Sequence, residues 1–176
     1  QGKAVTAINQ FAFLWLLTSS ASAATQMASV PIMVMPSLNA EYGYGASAKA
    51  FAKYSQLWKS IGISEVMPNG DIDYTAPSIG SSRMVRDNPI LQRAFEAALD
   101  RHVTTLTNTS VLTNRSKTPD NTYSSLPARA TKGLFDLMTC LFNGAERMSR
   151  EITFMMTFEL EYAKTKNFQE AVDKAV

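Results

Sequence analysis

Between Lys3 and Glu41 the chain has no charged side chain. A helix that is uncharged on all sides belongs inside protein or inside lipid. Charge is scarce overall, at 18% of residues against about a quarter in ordinary domains. The net charge of +2 gives no basic field of the kind that nucleic-acid binding uses. Cys140 is the only cysteine, which excludes an intrachain disulfide and every cysteine-based zinc site. His102 is the only histidine, so a two-histidine metal site is excluded. Any histidine proton relay would rest on that one residue. No cofactor motif is present. Gly43-Tyr44-Gly45 has no strand before it and no third glycine after it. Asn69-Gly70-Asp71-Ile72-Asp73 places two carboxylates close together but lacks the further oxygen ligands of a calcium loop, and reads as a solvated turn. The expectation is therefore no catalytic constellation, no cofactor and no metal.

What is present is helical periodicity. Phe11, Phe13, Leu14, Trp15, Leu16 and Leu17, followed by the small residues Ser19 to Ala24, predict a first helix from Val5 to Ser29. Three readings of it stand side by side. Lys3, the apolar run and Ala21-Ser22-Ala23 imitate a signal peptide, although Asn9 and Gln10 stand where a basic region would be. Ala7 to Val30 is long enough to span a bilayer. The polar second half favours the central helix of a bundle, with Ser19 and Ala23 allowing close approach by a neighbour. The candidate interface or membrane residues are thus Phe11, Phe13, Leu14, Trp15, Leu16, Leu17, Ser19 and Ala23. Pro31 to Pro36 predicts a short, buried, extended crossing, because two prolines disrupt a helix interior.

A second helix is expected from Ala46 to Ser60, with Ala50, Phe51, Tyr54, Leu57 and Trp58 on its apolar stripe. Asp87-Asn88-Pro89 is a helix start, and Ile90, Ala94, Phe95, Ala98 and Leu99 form the expected apolar face of a third helix. That helix places His102 in its last turn and Arg93 within reach of Glu96 and Asp100. Residues 62–86 and 103–130 read as loop-rich connections. A long amphipathic helix is expected from Lys132 to Thr165, on the rhythm Leu134, Met138, Leu141, Ala145, Met148, Ile152 and Met155. Along it, Glu146–Arg150 and Arg147–Glu151 are spaced for structural salt bridges. Glu146 and Glu151 are also the only carboxylates embedded in an apolar run, and their arginines predict lowered rather than raised pKa values. Asn167 caps a last short helix through Ala175. The fold class expected is all-α: an irregular multi-helix bundle with a long apolar N-terminal helix, a long amphipathic C-terminal helix and extended loops, forming one module over residues 1–176. Core filling is the ordinary role of the nine methionines, and an interface between copies is the sharper one.

Two stretches resemble a known family. Thr18 to Gln26, Pro31-Ile-Met-Val-Met-Pro-Ser-Leu38 and Tyr42-Gly43 are similar to a block in the very large internal virion proteins of short-tailed phages. Phe142-Asn-Gly-Ala-Glu-Arg-Met-Ser-Arg-Glu-Ile-Thr-Phe154 resembles that family's Phe-x-x-x-Glu-Arg-x-Asn-Arg-Glu-x-Thr motif, with Ser149 in place of the asparagine. The resemblance implies a segment of a far longer inner-core or ejection protein. Such a protein is packed in the virion interior, leaves with the genome and is then found in the host cell envelope. It implies partners among copies of the same chain and other virion proteins, portal or core proteins, with a possible host-membrane contact. The genome would be near, without a specific nucleic-acid site. Two other readings remain: a non-catalytic part of a virion enzyme bearing a lytic transglycosylase, and a bacterial helical envelope protein anchored by its first helix.

Overall fold

A computed structural model describes residues 20–59, 65–66, 72–73, 78–103 and 126–176. The run Phe11 to Ser19 lies outside the described residues, as do the predicted loop cores and Asn69 to Asp71. The elements, in order, are α1 (Ser20–Ser29), a π-helical turn (Val30–Val34), α2 (Met35–Tyr42), α3 (Tyr44–Lys59), strands β1 (Glu65–Val66) and β2 (Ile72–Asp73), a 3-10 turn (Ile79–Ser81), α4 (Arg83–Arg86), α5 (Pro89–Asp100), α6 (Leu126–Thr165) and α7 (Phe168–Ala175). The two strands are two residues each and pair antiparallel, Glu65 with Asp73 and Val66 with Ile72. The fold is all-α.

The spine is α6, 40 residues and roughly 60 Å long. Helices α1, α3, α5 and α7 all pack against it. Its start corrects the expected boundary. Leu126 to Ala130 are helical rather than loop, with Pro127 in the first turn, where a missing N–H removes no intrahelical bond. The expected stripe holds where side chains are described: Ala145, Met148, Ile152 and Met155 are buried, joined by Phe154, Met156 and Phe158. Phe158 is the centre of an aromatic stack. Its ring lies parallel to Phe154 and Tyr162 at 6.3 and 5.7 Å and meets Phe168 of α7 edge-on at 5.5 Å. Among the described residues, the methionines Met148, Met155 and Met156 are thus core residues.

The largest correction is at Pro31–Pro36. The segment is neither extended nor buried. It is a π turn running into α2, and Ile32 and Met33 are 69% and 70% exposed. The physical reason lies in proline geometry. A proline in a regular α-helix collides with the carbonyl four residues before it. Widening the turn, so that the Met35 N–H donates to the Val30 carbonyl five residues back, lets the chain stay helical through both prolines. Gly43 then breaks the rod at φ 84°, a conformation suited to glycine, and α3 starts one residue later.

Helix α5 begins where expected, with Asn88 Oδ1 accepting from the Ile90 and Leu91 N–H groups. Ala94, Phe95 and Ala98 of the expected apolar face are buried, and the face differs at its edges. Leu91 is buried in place of Ile90, and Leu99 is 42% exposed. Arg93 is placed over the Phe168 ring, 4.9 Å from its centroid. His102 lies past the helix end rather than in its last turn, at φ 57°. There its N–H and that of Val103 donate to the Leu99 and Ala98 carbonyls, closing the helix in a Schellman arrangement.

Lys166 ends α6 in the same left-handed conformation, at φ 57°, donating its N–H to the Tyr162 carbonyl. Such backbone costs an L-residue about 1–2 kcal/mol. Lys166→Gly is therefore expected to raise stability by about 0.5–1 kcal/mol. A urea midpoint that rises with an unchanged m-value is the check; a lower midpoint would show that Lys166 contributes more through its contact with the Tyr162 ring.

Candidate functional site

The described polar chemistry is a seam of carboxylates along α6. Four of them hold partners, and three reach across to other elements. Glu151 is 1% exposed. It accepts from the Ile79 N–H at 2.6 Å, from Ser78 Oγ at 2.9 Å and from Arg147 Nε at 2.8 Å. Ser78 Oγ in turn accepts from the Gly80 N–H. One buried carboxylate thereby holds the whole 3-10 turn onto the spine. Glu159 accepts from Lys53 Nζ and from the Tyr54 hydroxyl, both at 2.6 Å, fixing α3. Glu161 accepts from the Tyr42 hydroxyl at 2.5 Å, fixing α2. Burial, with the neighbouring carboxylates, raises both tyrosine pKa values, so the phenols stay neutral donors. The fourth carboxylate, Glu146, accepts from Arg150 at 2.7 Å along the helix.

Both salt bridges expected from spacing, Glu146–Arg150 and Arg147–Glu151, are formed. The expectation of a lowered pKa is overturned at Glu151. Burial pushes its carboxyl above the ordinary value of 4.5, outweighing the Ile79 N–H, Arg147 and Ser78, which pull it down. The arginine is only one side of its surroundings; the rest is core. Because the folded-state value is raised, the folded protein holds this proton to higher pH than the unfolded chain does. Its contribution to stability is present at low pH and is lost as pH rises from 4.5 through the raised value. Glu151→Gln does not titrate. Wild type is therefore expected to lose stability relative to Glu151→Gln across that window, measured by urea unfolding at each pH. A wild type that instead gains on the variant as pH rises would contradict it.

A cleft of about 340 Å³ lies between α1, α6 and the end of α7, lined in part by Gln26, Ser29, Glu146, Ser149, Arg150 and Thr153. Its hydroxyls are not activated. Ser29 donates to the Gln26 carbonyl, Ser149 shares its one hydroxyl hydrogen between the Gln26 and Ala145 carbonyls, and Thr153 donates to the Ser149 carbonyl. No nucleophile–base pair is formed in that lining. Glu151, whose raised pKa is the property a general acid needs, lines neither this cleft nor the apolar groove between α1, α3 and α6, and its oxygens are occupied. Among the described residues no group of His, Cys, Asp and Glu is placed to hold a metal. No described helix is long and apolar enough to cross a membrane.

Of the interface candidates, Phe11, Phe13, Leu14, Trp15, Leu16, Leu17 and Ser19 lie outside the described residues. Ala23 is half-buried on α1, which packs on α6. The pairing of Tyr42 with Glu161, and of Lys53 and Tyr54 with Glu159, escaped the sequence reading. The signal for Glu159 was present: Met155, Met156, Tyr162 and Ala163 occupy the positions three and four away. A carboxylate on an apolar stretch with no local cation draws its partner from another element.

Comparison with known protein families, curated proteins and solved structures finds no match.

Proposed function

We infer that this chain is a non-catalytic structural module of an internal virion protein, which assembles with copies of itself and with other virion proteins and takes part in delivering a genome across the host envelope. The observation that carries the reading is where the two family-like blocks meet. Ser149, in the second block, donates its hydroxyl to the carbonyl of Gln26, in the first, at 2.7 Å. Sixteen residues further along the first block Tyr42 reaches Glu161, so the rod from α1 to α2 runs parallel to α6. Two sequence blocks far apart in the chain form one interface, and the position where serine replaces asparagine is the joint. Both residue types supply a donor there.

Of the two carboxylates embedded in an apolar run, Glu151 is fully engaged and Glu146 is paired, which favours a non-catalytic role for this helix. Location is the test. Mass spectrometry of purified particles is expected to find peptides from Ala46 to Lys53 in a polypeptide much longer than 176 residues. The protein should resist protease in intact particles and lose that protection after genome release. Its absence from purified particles would overturn the reading.

A further inference from the structure

We propose that α7 exchanges between two copies of this chain: α6 and α7 straighten into one helix at Lys166, and each α7 fills the seat of the other copy. The proposal goes beyond the virion reading, because it rests only on the joint before α7 and on the seat that α7 occupies.

The joint is two exposed residues, Lys166 and Asn167. Of the two described non-glycine residues in the left-handed region, His102 ends a helix, and Lys166 alone stands between two. At the bend between α2 and α3 the same role falls to Gly43, which has no Cβ to strain. Nothing local forces the break at Lys166. Ala163-Lys-Thr-Lys-Asn-Phe-Gln-Glu-Ala171 contains neither glycine nor proline, and Ala, Lys, Gln and Glu make up most of it. The bent form gains the Asn167 cap, whose Oδ1 accepts from the Gln169 and Glu170 N–H groups. It also gains the bond from the Asn167 N–H to Thr165 Oγ1. A straight joint replaces these with main-chain bonds from the same N–H groups and frees Lys166 from its left-handed backbone. The break is therefore held by what α7 touches and not by the residues of the joint. A short joint under strain between two packed elements invites exchange.

The contacts of α7 define the occupant of its seat. Phe168 meets the Phe158 ring edge-on at 5.5 Å and lies under the Arg93 guanidinium. Ala171 and Val172 are buried. Asp173 meets Arg101 at 2.5 Å, and Lys174 meets Glu41 at 2.9 Å. The seat thus takes an aromatic, two small apolar residues, an anion and a cation in fixed order, and a second copy carries that same helix. The direction of α7 permits the exchange. It folds back along α6: Phe168 lies at Phe158, while Ala175 and Val176 line the cleft with Arg150 and Phe154. Straightened, its eight residues continue past Lys166 and run antiparallel to the last turns of a second α6. The two-fold axis passes beside the two Lys166 residues, with one body on each side. Such a pairing is isologous and closes as a dimer.

The test uses the 176-residue chain. Concentrated protein is loosened in sub-denaturing urea, returned to buffer and separated by size. A dimer that reverts slowly on dilution is expected, because reversal requires α7 to leave its seat. In the isolated dimer the Phe168 and Gln169 amides should exchange slowly with deuterium, as helix-interior groups do, and in the monomer quickly. Lys166→Gly is expected to lower the dimerisation constant by at least about 30-fold, since it relieves two bent joints and weakens two straight ones. Asn167→Ala deletes the cap of the bent form and should raise the constant by a similar factor. Gln169→Pro is tolerated in the first turn of α7 but not inside a continuous helix, so it should give a folded monomer and no dimer. If neither wild type nor Asn167→Ala dimerises at millimolar concentration, the exchange is overturned. A dimer that ignores all three substitutions, or leaves the two amides unprotected, is a surface contact and also overturns it. Neither result touches the virion reading, which stands or falls on the content of purified particles.

Discussion

Glu151→Ala is expected to destabilise the protein by about 2–4 kcal/mol. The change strands the buried Ile79 N–H, which alone costs about 1–3 kcal/mol, and opens a cavity under the 3-10 turn. Arg147 adds less, because its side chain is 28% exposed and water can solvate what the carboxylate no longer does. Glu151→Gln keeps an oxygen for the Ile79 N–H and, at pH below 4.5, should cost about 1–2 kcal/mol, a difference that shrinks as pH rises. Hydrogen exchange distinguishes a local latch from a general core defect. In Glu151→Ala, protection should fall most at Ile79 and through α4 and α5, and least at the α6–α7 contact around Phe158. Uniform loss of protection would mean that the turn and the spine unfold as one unit, and that Glu151 holds no separate element.

The second large effect is at Gly80. A Cβ built there would lie 2.2 Å from Phe95 Cε1 and 2.6 Å from Cζ. Phe95 is a buried ring on α5, so it has little room to withdraw. Gly80→Ala is expected to cost about 2–3 kcal/mol through overpacking. The cause can be isolated with a double-mutant cycle. Phe95→Leu alone should destabilise, yet Gly80→Ala in the Phe95→Leu background should cost well under half of what it costs in wild type. Additive energies would place the penalty in the backbone of the turn instead of in the ring.

The all-α class and both C-terminal helices were legible because their signals are local. Apolar spacing set the α6 stripe, Asn88 and Asn167 marked caps that the structure forms, and the two arginine–glutamate pairs lie four residues apart. The proline segment was misread because proline's conflict with an α-helix is local, while its resolution as a π turn depends on the helices on either side and on Val30 being buried. The centre of the α5 face, Ala94, Phe95 and Ala98, was legible, but at its start Leu91 and not Ile90 meets the core; helical spacing alone does not tell two adjacent apolar residues apart. The seam was least legible. Tyr42, Lys53 and Tyr54 find their carboxylates more than a hundred residues later, and no short-range pattern records such a partner.

The same long separations bear on how the chain comes off the ribosome. Much of what holds α1, α2 and α3 in place is supplied by α6, which is synthesised after them. At the usual pace of translation the early helices wait several seconds without a surface to settle on. During that interval their uncharged stretch is open to chaperones and to neighbouring nascent chains, so nascent-chain yield should depend on how quickly the ribosome reaches Thr165.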